Sequence, residues 1–254
     1  MGLADYCGGV PDPLYDDPEF LELYELFPRQ QQGLDGAPEW ADLEAMLPDV
    51  SGRSFLDLGC GFGWHTRWAA QNGATRILGI DASQRMLDRA VATTESDAVE
   101  YRVGDLDHLD FSKAENRFDV VFSSLAFHYI ADLNRLFQAT FAATNPGGSI
   151  VFSVEHPLMT GPTRLEAVEV DGTTIWPVDR YADEGPRTRK WLVDGVEKQH
   201  HTVATWINSL IKAGYVIGKV VEWSPTKAQV DAHPDWAIER TRPPFLMIAA
   251  NVPA

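Results

Sequence analysis

The stretch from Phe55 to Ala69, FLDLGCGFGWHTRWA, constrains the fold more than any other in the 254-residue chain. An apolar run too short for a helix, Phe55, Leu56 and Leu58, encloses an acid, Asp57, and leads into glycines on alternate positions, Gly59, Gly61 and Gly63. That order predicts strand, tight turn and helix. Glycine is required where the backbone takes positive φ or where a ligand rests on bare main chain, and alternating glycines clear such a floor. The following helix carries Trp64, Trp68 and Ala69 and stops at Asn72-Gly73, so its free N–H groups point at the floor.

A glycine turn alone does not identify its ligand. A phosphate loop needs Lys and then Ser or Thr after its last glycine, where this chain has Trp64-His65. The dinucleotide fingerprint needs a glycine three residues after Gly61, a place taken by Trp64. What remains, an acid two residues ahead of G-x-G-x-G, resembles motif I of the class I S-adenosylmethionine (SAM) dependent methyltransferases, with the resemblance covering roughly residues 54–155. It implies that Asp57, Gly59, Gly61 and Gly63 belong to the SAM site. A glycine turn that serves packing alone is the alternative.

Composition narrows the class. At this length and 44% hydrophobic content the chain can bury a full core as one α/β domain with additions. Its formal charge of −16 opposes nucleic-acid binding, which depends on basic residues neutralising phosphates, but does not disfavour a cationic cofactor. Cys7 and Cys60 are too few for a disulfide framework. No long apolar run and no basic leader stands ahead of the first helix, so the expectation is a soluble, cytoplasmic protein without membrane partners.

Asp16-Asp17-Pro18 predicts a helix start, and Phe20, Leu23, Tyr24 and Phe27 form a helical stripe that Pro28 ends. A polar stretch, 29–36, carries no core signal, and a second short helix from Pro38 presents Trp40, Leu43 and Leu47. Residues 1–50 read as a helical lid over the 51–155 core, or equally as a fixed layer on the sheet. The resemblance implies that this segment covers the cofactor, with Tyr24 and Arg29 near its carboxylate.

The second strand, 76–80, ends in Asp81, followed by Ala82 and a helix carrying Met86. An acid at that strand end, some twenty residues past the glycine turn, can accept hydrogen bonds from both hydroxyls of a ribose. After a third strand, 99–103, Gly104-Asp105-Leu106 matches the family's adenine-binding acid; an ordinary Asp turn is the alternative. The apolar run 118–123 predicts a parallel strand covered on both faces, and Ser123 at its end is placed by the resemblance against the cofactor. The N/D-P-P-Y/F sequence of enzymes that methylate nucleic-acid bases is absent there. A helix from Asp132 and the turn Asn145-Pro146-Gly147-Gly148 lead to a fifth strand, 149–154.

Beyond Glu155-His156-Pro157, alternating segments around Asp171-Gly172 and Asp194-Gly195 predict two hairpins within 156–201, inserted where they can roof the substrate pocket. Residues 202–254 supply a helix and two last strands joined by an irregular, proline-rich link. The expected fold is a Rossmann-like, doubly wound α/β sheet of seven strands, its last strand antiparallel as the resemblance implies.

The implied reaction is SN2 transfer of the SAM methyl group to a nucleophile, in which the protein aligns the centres and supplies a base where a proton must leave. His128 is the candidate base, against the alternative of a ring packed on the cofactor. Glu155 and His156 flank the same place, Glu155 as second catalytic candidate; both can instead pin the insertion. Tyr129, His156, Trp176 and Tyr181 are candidate substrate contacts, favouring a small aromatic acceptor of indole or phenol type. For Trp191, holding the hairpin to the sheet is the favoured reading. The cluster Arg180, Arg187, Arg189 and Lys190 can receive a substrate carboxylate or merely neutralise neighbouring acids. Glu155-His156 and His200-His201 lack metal-ligand spacing, so no metal is expected. Bacterial methyltransferases with S-S-L-A-x-H-Y and E-H-P look similar over nearly the whole chain and include enzymes of secondary metabolism. N-methylation of a neutral amine by alignment alone, or a SAM-binding regulator without turnover, are the competing functions.

Overall fold

A computed structural model describes residues 15–109, 111 and 117–254; the glycine-rich start and Cys7 lie outside the described residues. Helix α1 (Pro18–Glu25) begins where the Asp17 carboxylate accepts from the N–H groups of Glu19 and Phe20. The polar stretch after it is folded: α2 (Pro28–Gln31) and a 3-10 turn (Gly33–Gly36) precede α3 (Trp40–Glu44). Periodicity missed this because polar and small residues hold it. The Trp64 indole N–H donates to Gln30 Oε1 at 3.2 Å, and a Cβ on Gly33 would stand 2.7 Å from the same indole ring.

The central chain alternates β1 (Ser54–Leu58), α4 (Trp64–Gln71), β2 (Arg76–Asp81), α5 (Gln84–Ala92), β3 (Val99–Val103), β4 (Phe118–Ser124), α6 (Leu133–Ala143) and β5 (Thr144–Glu155). A short α7 (Pro157–Thr160) leads to two hairpins, β6 (Val168–Val170) with β7 (Thr173–Ile175) and β8 (Gly185–Trp191) with β9 (Val193–His200). Helix α8 (Val203–Ala213), β10 (Val216–Trp223), α9 (Lys227–Ala232), a 3-10 segment (Pro234–Arg240) and β11 (Phe245–Asn251) complete the chain.

Seven strands form one sheet in the order β10-β11-β5-β4-β1-β2-β3, parallel except for β11, which runs antiparallel to both neighbours. This is the expected α/β architecture. Its faces are buried under separate clusters. Phe127, Phe137, Phe152 and Trp206 pack under α6 and α8, while Trp40, Phe55, Ala69 and Phe122 pack under α3 and α4. Burial on both sides is why the central strands read as continuous apolar runs.

Three local expectations are corrected. Asn145–Gly148 does not turn the chain ahead of β5 but lies within it, as an irregularity between the pairs Phe118 with Thr144 and Val120 with Ser149. The second hairpin reverses at Leu192, at φ 59°, rather than at Asp194-Gly195. Gly195, at φ 86°, sits inside β9 where the register shifts, so its freedom serves a bulge and not a turn. The link after β10 is ordered by a reciprocal capping box between Thr226 and Gln229 that starts α9.

Phe152 touches Phe127, Phe137 and Trp206 with ring centroids 5.3–5.8 Å apart at the centre of the larger cluster. Phe152→Ala is expected to cost about 3–5 kcal/mol of stability. The measurement is the urea midpoint at unchanged slope, and a loss below about 1 kcal/mol would mean this cluster is not the stabilising core.

Candidate active site

The carboxyl ends of β1, β2, β4 and β5 border a cavity of about 620 Å³, lined on its outer side by the N-terminal helices and by the β8–β9 hairpin. Its floor is the glycine turn. Gly59 and Cys60 donate their N–H groups to Ile80 O, tying the end of β1 to β2. Gly59 takes φ 76°, and a Cβ there would come within 2.3 Å of Ala126 Cβ; Gly61, at φ 51°, has open space beside it. Gly63 does something else. It stands at the start of α4, where a Cβ would lie 2.2 Å from Tyr101 Oη, so it permits helix packing and does not border the cavity.

Asp81 lines the cavity with its carboxylate fixed: Oδ2 accepts from Gly61 N at 2.8 Å and Oδ1 from Ser83 N at 3.0 Å. Ala82 and Met86 line the same wall, as do Asp105 and Leu106, with Asp105 Oδ1 accepting from Asp107 N at 2.8 Å. Asp57 is fully buried beneath the turn, and neither carboxylate oxygen has a hydrogen-bond partner among the described residues. Burial, and then Asp81, pushes its carboxyl well above the usual carboxylate range. Tyr24 and Arg29 reach the cavity from the N-terminal segment, although Arg29 is already paired with the buried Glu39 at 2.9 Å. Burial raises the Tyr24 phenol to about 12, against the lowering effect of Arg29.

At the other end stand His128, Tyr129 and Glu155. They follow Leu125, a non-glycine residue at φ 55° whose N–H is held by Ser153 O at 2.9 Å. A side chain in that region costs on the order of 1 kcal/mol, and such strain gathers at functional sites. Burial lowers His128 to about 4, with Glu155 opposing and Lys198 adding to the shift, so its ring is neutral at physiological pH. Its Nδ1 accepts from Glu155 N at 3.4 Å, which puts the proton of the neutral ring on Nε2. Burial pushes the Glu155 carboxyl up, but His128, Lys198 and Arg189 outweigh it and hold the group below its ordinary value.

Several expected site residues lie elsewhere. Ser123 Oγ donates to Leu58 O at 2.7 Å on the buried side of β4, and the next residue, Ser124, lines the cavity instead. His156 caps α7, accepting from Leu158 N, while its Nε2 meets Glu222 at 2.9 Å. Trp176 donates to Thr241 Oγ1 and lies against Arg242; the Tyr181 hydroxyl accepts from Val203 N. None of these four is part of the cavity wall. Of the basic cluster, Arg187 and Arg189 donate to main-chain carbonyls, and Arg180 and Lys190 pair with Asp183 and Asp194.

Conversely, Trp191 lines the cavity, stacked on Phe27 with centroids 6.1 Å apart, and so bridges the hairpin to the N-terminal segment rather than to the sheet. Sequence reasoning passed over Lys198 and Tyr15. Lys198 Nζ lies 2.5 Å from Glu155 Oε1 and 4.2 Å from the Trp191 ring centroid; the Tyr15 and Tyr129 hydroxyls bond at 2.9 Å. Neither residue belongs to a local motif. Among the described residues no group of three His, Cys, Asp or Glu is placed to hold a metal, and no helix is long and apolar enough to cross a membrane.

Residues 56–152 match the family model of a methyltransferase domain. The crystal structure of an S-adenosylmethionine dependent methyltransferase from Mesorhizobium loti is 47% identical, covers 86% of this chain and 100% of its own, and superposes with a TM-score of 0.82. An uncharacterized protein of Haemophilus influenzae is 32% identical over 246 residues, 94% of this chain and 96% of that one. A trans-aconitate 2-methyltransferase of Deinococcus radiodurans is 27% identical over 199 residues, 74% of each chain. The cavity suits the cofactor named for the Mesorhizobium loti protein: bare glycine backbone, an oriented carboxylate at the end of β2, and, beneath the floor, a buried carboxylate without a donor among the described residues. The chain belongs to the S-adenosylmethionine-dependent methyltransferases, and S-adenosylmethionine is its cofactor.

Proposed function

We propose that this enzyme methylates a small, flat acceptor of indole or phenol type, held at the cavity end bounded by His128, Tyr129, Glu155 and Trp191. The observation that carries the reading is a neutral imidazole in a cavity whose same end is lined by the aromatic rings of Tyr129 and Trp191. At the cofactor end, Asp81 takes the ribose hydroxyls and Asp105 with Leu106 the adenine. Ala82 and Met86 flank the nucleoside, and Gly59 and Gly61 let it rest on main chain. Tyr24 and Arg29 face the carboxylate, while Asp57 lies buried beneath the glycine floor without lining the cavity. The bound cofactor supplies an electrophilic methyl group on a sulfonium; the protein aligns the acceptor with it and keeps water out. Residues 15–50 and the β8–β9 hairpin act as lid and roof. The charge of −16 favours a small molecule over a nucleic acid, and methylation of tRNA with every small acceptor inert would refute that.

His128 is the group we assign to the acceptor proton, which it takes on Nε2 only in the tautomer that carries hydrogen on Nδ1 and so gives up the 3.4 Å contact from Glu155 N. A second reading has its own support, because Nδ1 already accepts from Glu155 N: His128 then donates from Nε2 to an acceptor that arrives ionised, such as a carboxylate. If His128 is the base, His128→Ala lowers turnover by roughly 10²–10⁴ with SAM affinity unchanged, and His128→Asn does not restore it. Because the depressed imidazole is neutral above about 4, the rate should stay level from neutral pH down to about 5 and fall only near 4. A limb near the ordinary histidine value, or full activity of the Asn variant, would favour the donor role.

Asp81→Ala should weaken SAM binding by at least about 1.5 kcal/mol, more than tenfold in Kd, since hydrogen bonds to a charged group are lost. Calorimetry with SAM and NAD in parallel checks this, and NAD binding as tight as SAM would refute the assigned pocket. Amide exchange in residues 15–36 should slow on SAM addition if the segment is a lid; exchange that is identical with and without SAM would make it a fixed layer.

A further inference from the structure

We infer that Lys198 selects the acceptor, receiving the nucleophilic oxygen of a planar oxygen acid (a phenol, an enol or a carboxylic acid) and disfavouring amine nitrogen. The inference rests on the reading of this cavity end as the acceptor site. Lys198 comes from β9, is 3% exposed, and lines the cavity. Its ammonium sits 4.2 Å from the Trp191 ring centroid and 5.8 Å from that of Tyr129, so two flat walls frame it. An ammonium has three N–H donors. One goes to Glu155 Oε1, and among the described residues no second oxygen or nitrogen accepts from it. Glu155 does not cancel the charge alone, because Arg189 acts on the same carboxylate.

The ammonium, bonded to Glu155 and seated over the Trp191 ring, thus keeps donor capacity at the cavity wall, which suits a flat acceptor with negative charge on oxygen. The charge changes of the two possible reactions decide between them. An oxygen acceptor contributes the electron pair of the new oxygen–carbon bond while the carbon–sulfur pair stays on sulfur. Its proton leaves to the base or, for an acid ionised beforehand, to water. One negative and one positive charge disappear together, and Lys198 has held the ionised form in place. An amine instead takes over the positive charge that the sulfonium gives up and carries it next to a fixed ammonium, which is unfavourable.

The test uses the full chain with S-adenosylhomocysteine and 4-nitrophenol, whose anion is followed by visible absorbance. A cation beside an acid lowers its pKa by about one to three units, and bound nitrophenol should ionise correspondingly earlier than free. Lys198→Met should abolish that shift and Lys198→Arg should retain it, with SAM affinity equal in all three. In turnover, Lys198→Met should lose more than about tenfold in kcat/KM for phenols and aromatic carboxylates and little for matched anilines. If the single variant does not fold, Lys198→Met combined with Glu155→Gln removes both charges and keeps the comparison. An unchanged nitrophenol shift in the variant, or wild-type preference for amines over phenols, overturns the inference while leaving an aromatic acceptor in place. Lys198-dependent methylation of an aliphatic acid such as trans-aconitate with phenols inert would instead overturn the aromatic reading and sustain the role of Lys198.

Discussion

The site depends on how the ends of β1 and β2 are tied together. Ile80 O accepts from both Gly59 and Cys60, and the Asp81 carboxylate closes the loop by accepting from Gly61 N. These bonds let bare backbone form the floor and leave Asp81 pointing into the cavity instead of rotating toward solvent. Strand β4 is locked in by contact, because Ala126 after it lies where a side chain on Gly59 would be. A Cβ at that position would force apart the two strand ends that hold the cofactor and acceptor halves in register.

That tie was legible in the sequence because it is local. Strand, glycine turn, helix and the acid ending the next strand fall within a short stretch, and each leaves its own mark in residue type. The acceptor half was not. Lys198 lies 43 residues after Glu155 and reaches it through a hairpin whose reversal at Leu192 carries no turn signature. His156, Trp176 and Tyr181 have the chemistry of a binding site, but Glu222, Thr241 and Val203 satisfy them away from the cavity. Ser123 failed by one position of strand parity, with Ser124 on the cavity side. Residue type can nominate such groups; only the packing of distant elements decides which way they face.

The N-terminal segment couples the two halves. Ser83 Oγ, which caps α5 beside Asp81, donates to Asp16 Oδ1 at 2.6 Å, while the preceding Tyr15 places its hydroxyl against Tyr129. Phe27 and Trp191 then stack across to the hairpin that carries Lys198. Displacing this segment would loosen the Asp81 end and the Tyr129 end of the cavity together, so in the proposed function one closure excludes water from both reacting centres.

The Glu155–Lys198 pair is best understood by what it would cost to keep for stability alone. Desolvating two ions commonly offsets their mutual attraction, and apolar residues of similar volume often do as well or better. Val196, two residues before Lys198 on β9, is buried without any such compensation, so this strand can place an apolar residue inward. Trp191 and Tyr129 already supply apolar surface around the ammonium. A lysine in those surroundings, at the cavity wall, is a poor solution to packing and fits the proposed holding of a negatively charged oxygen.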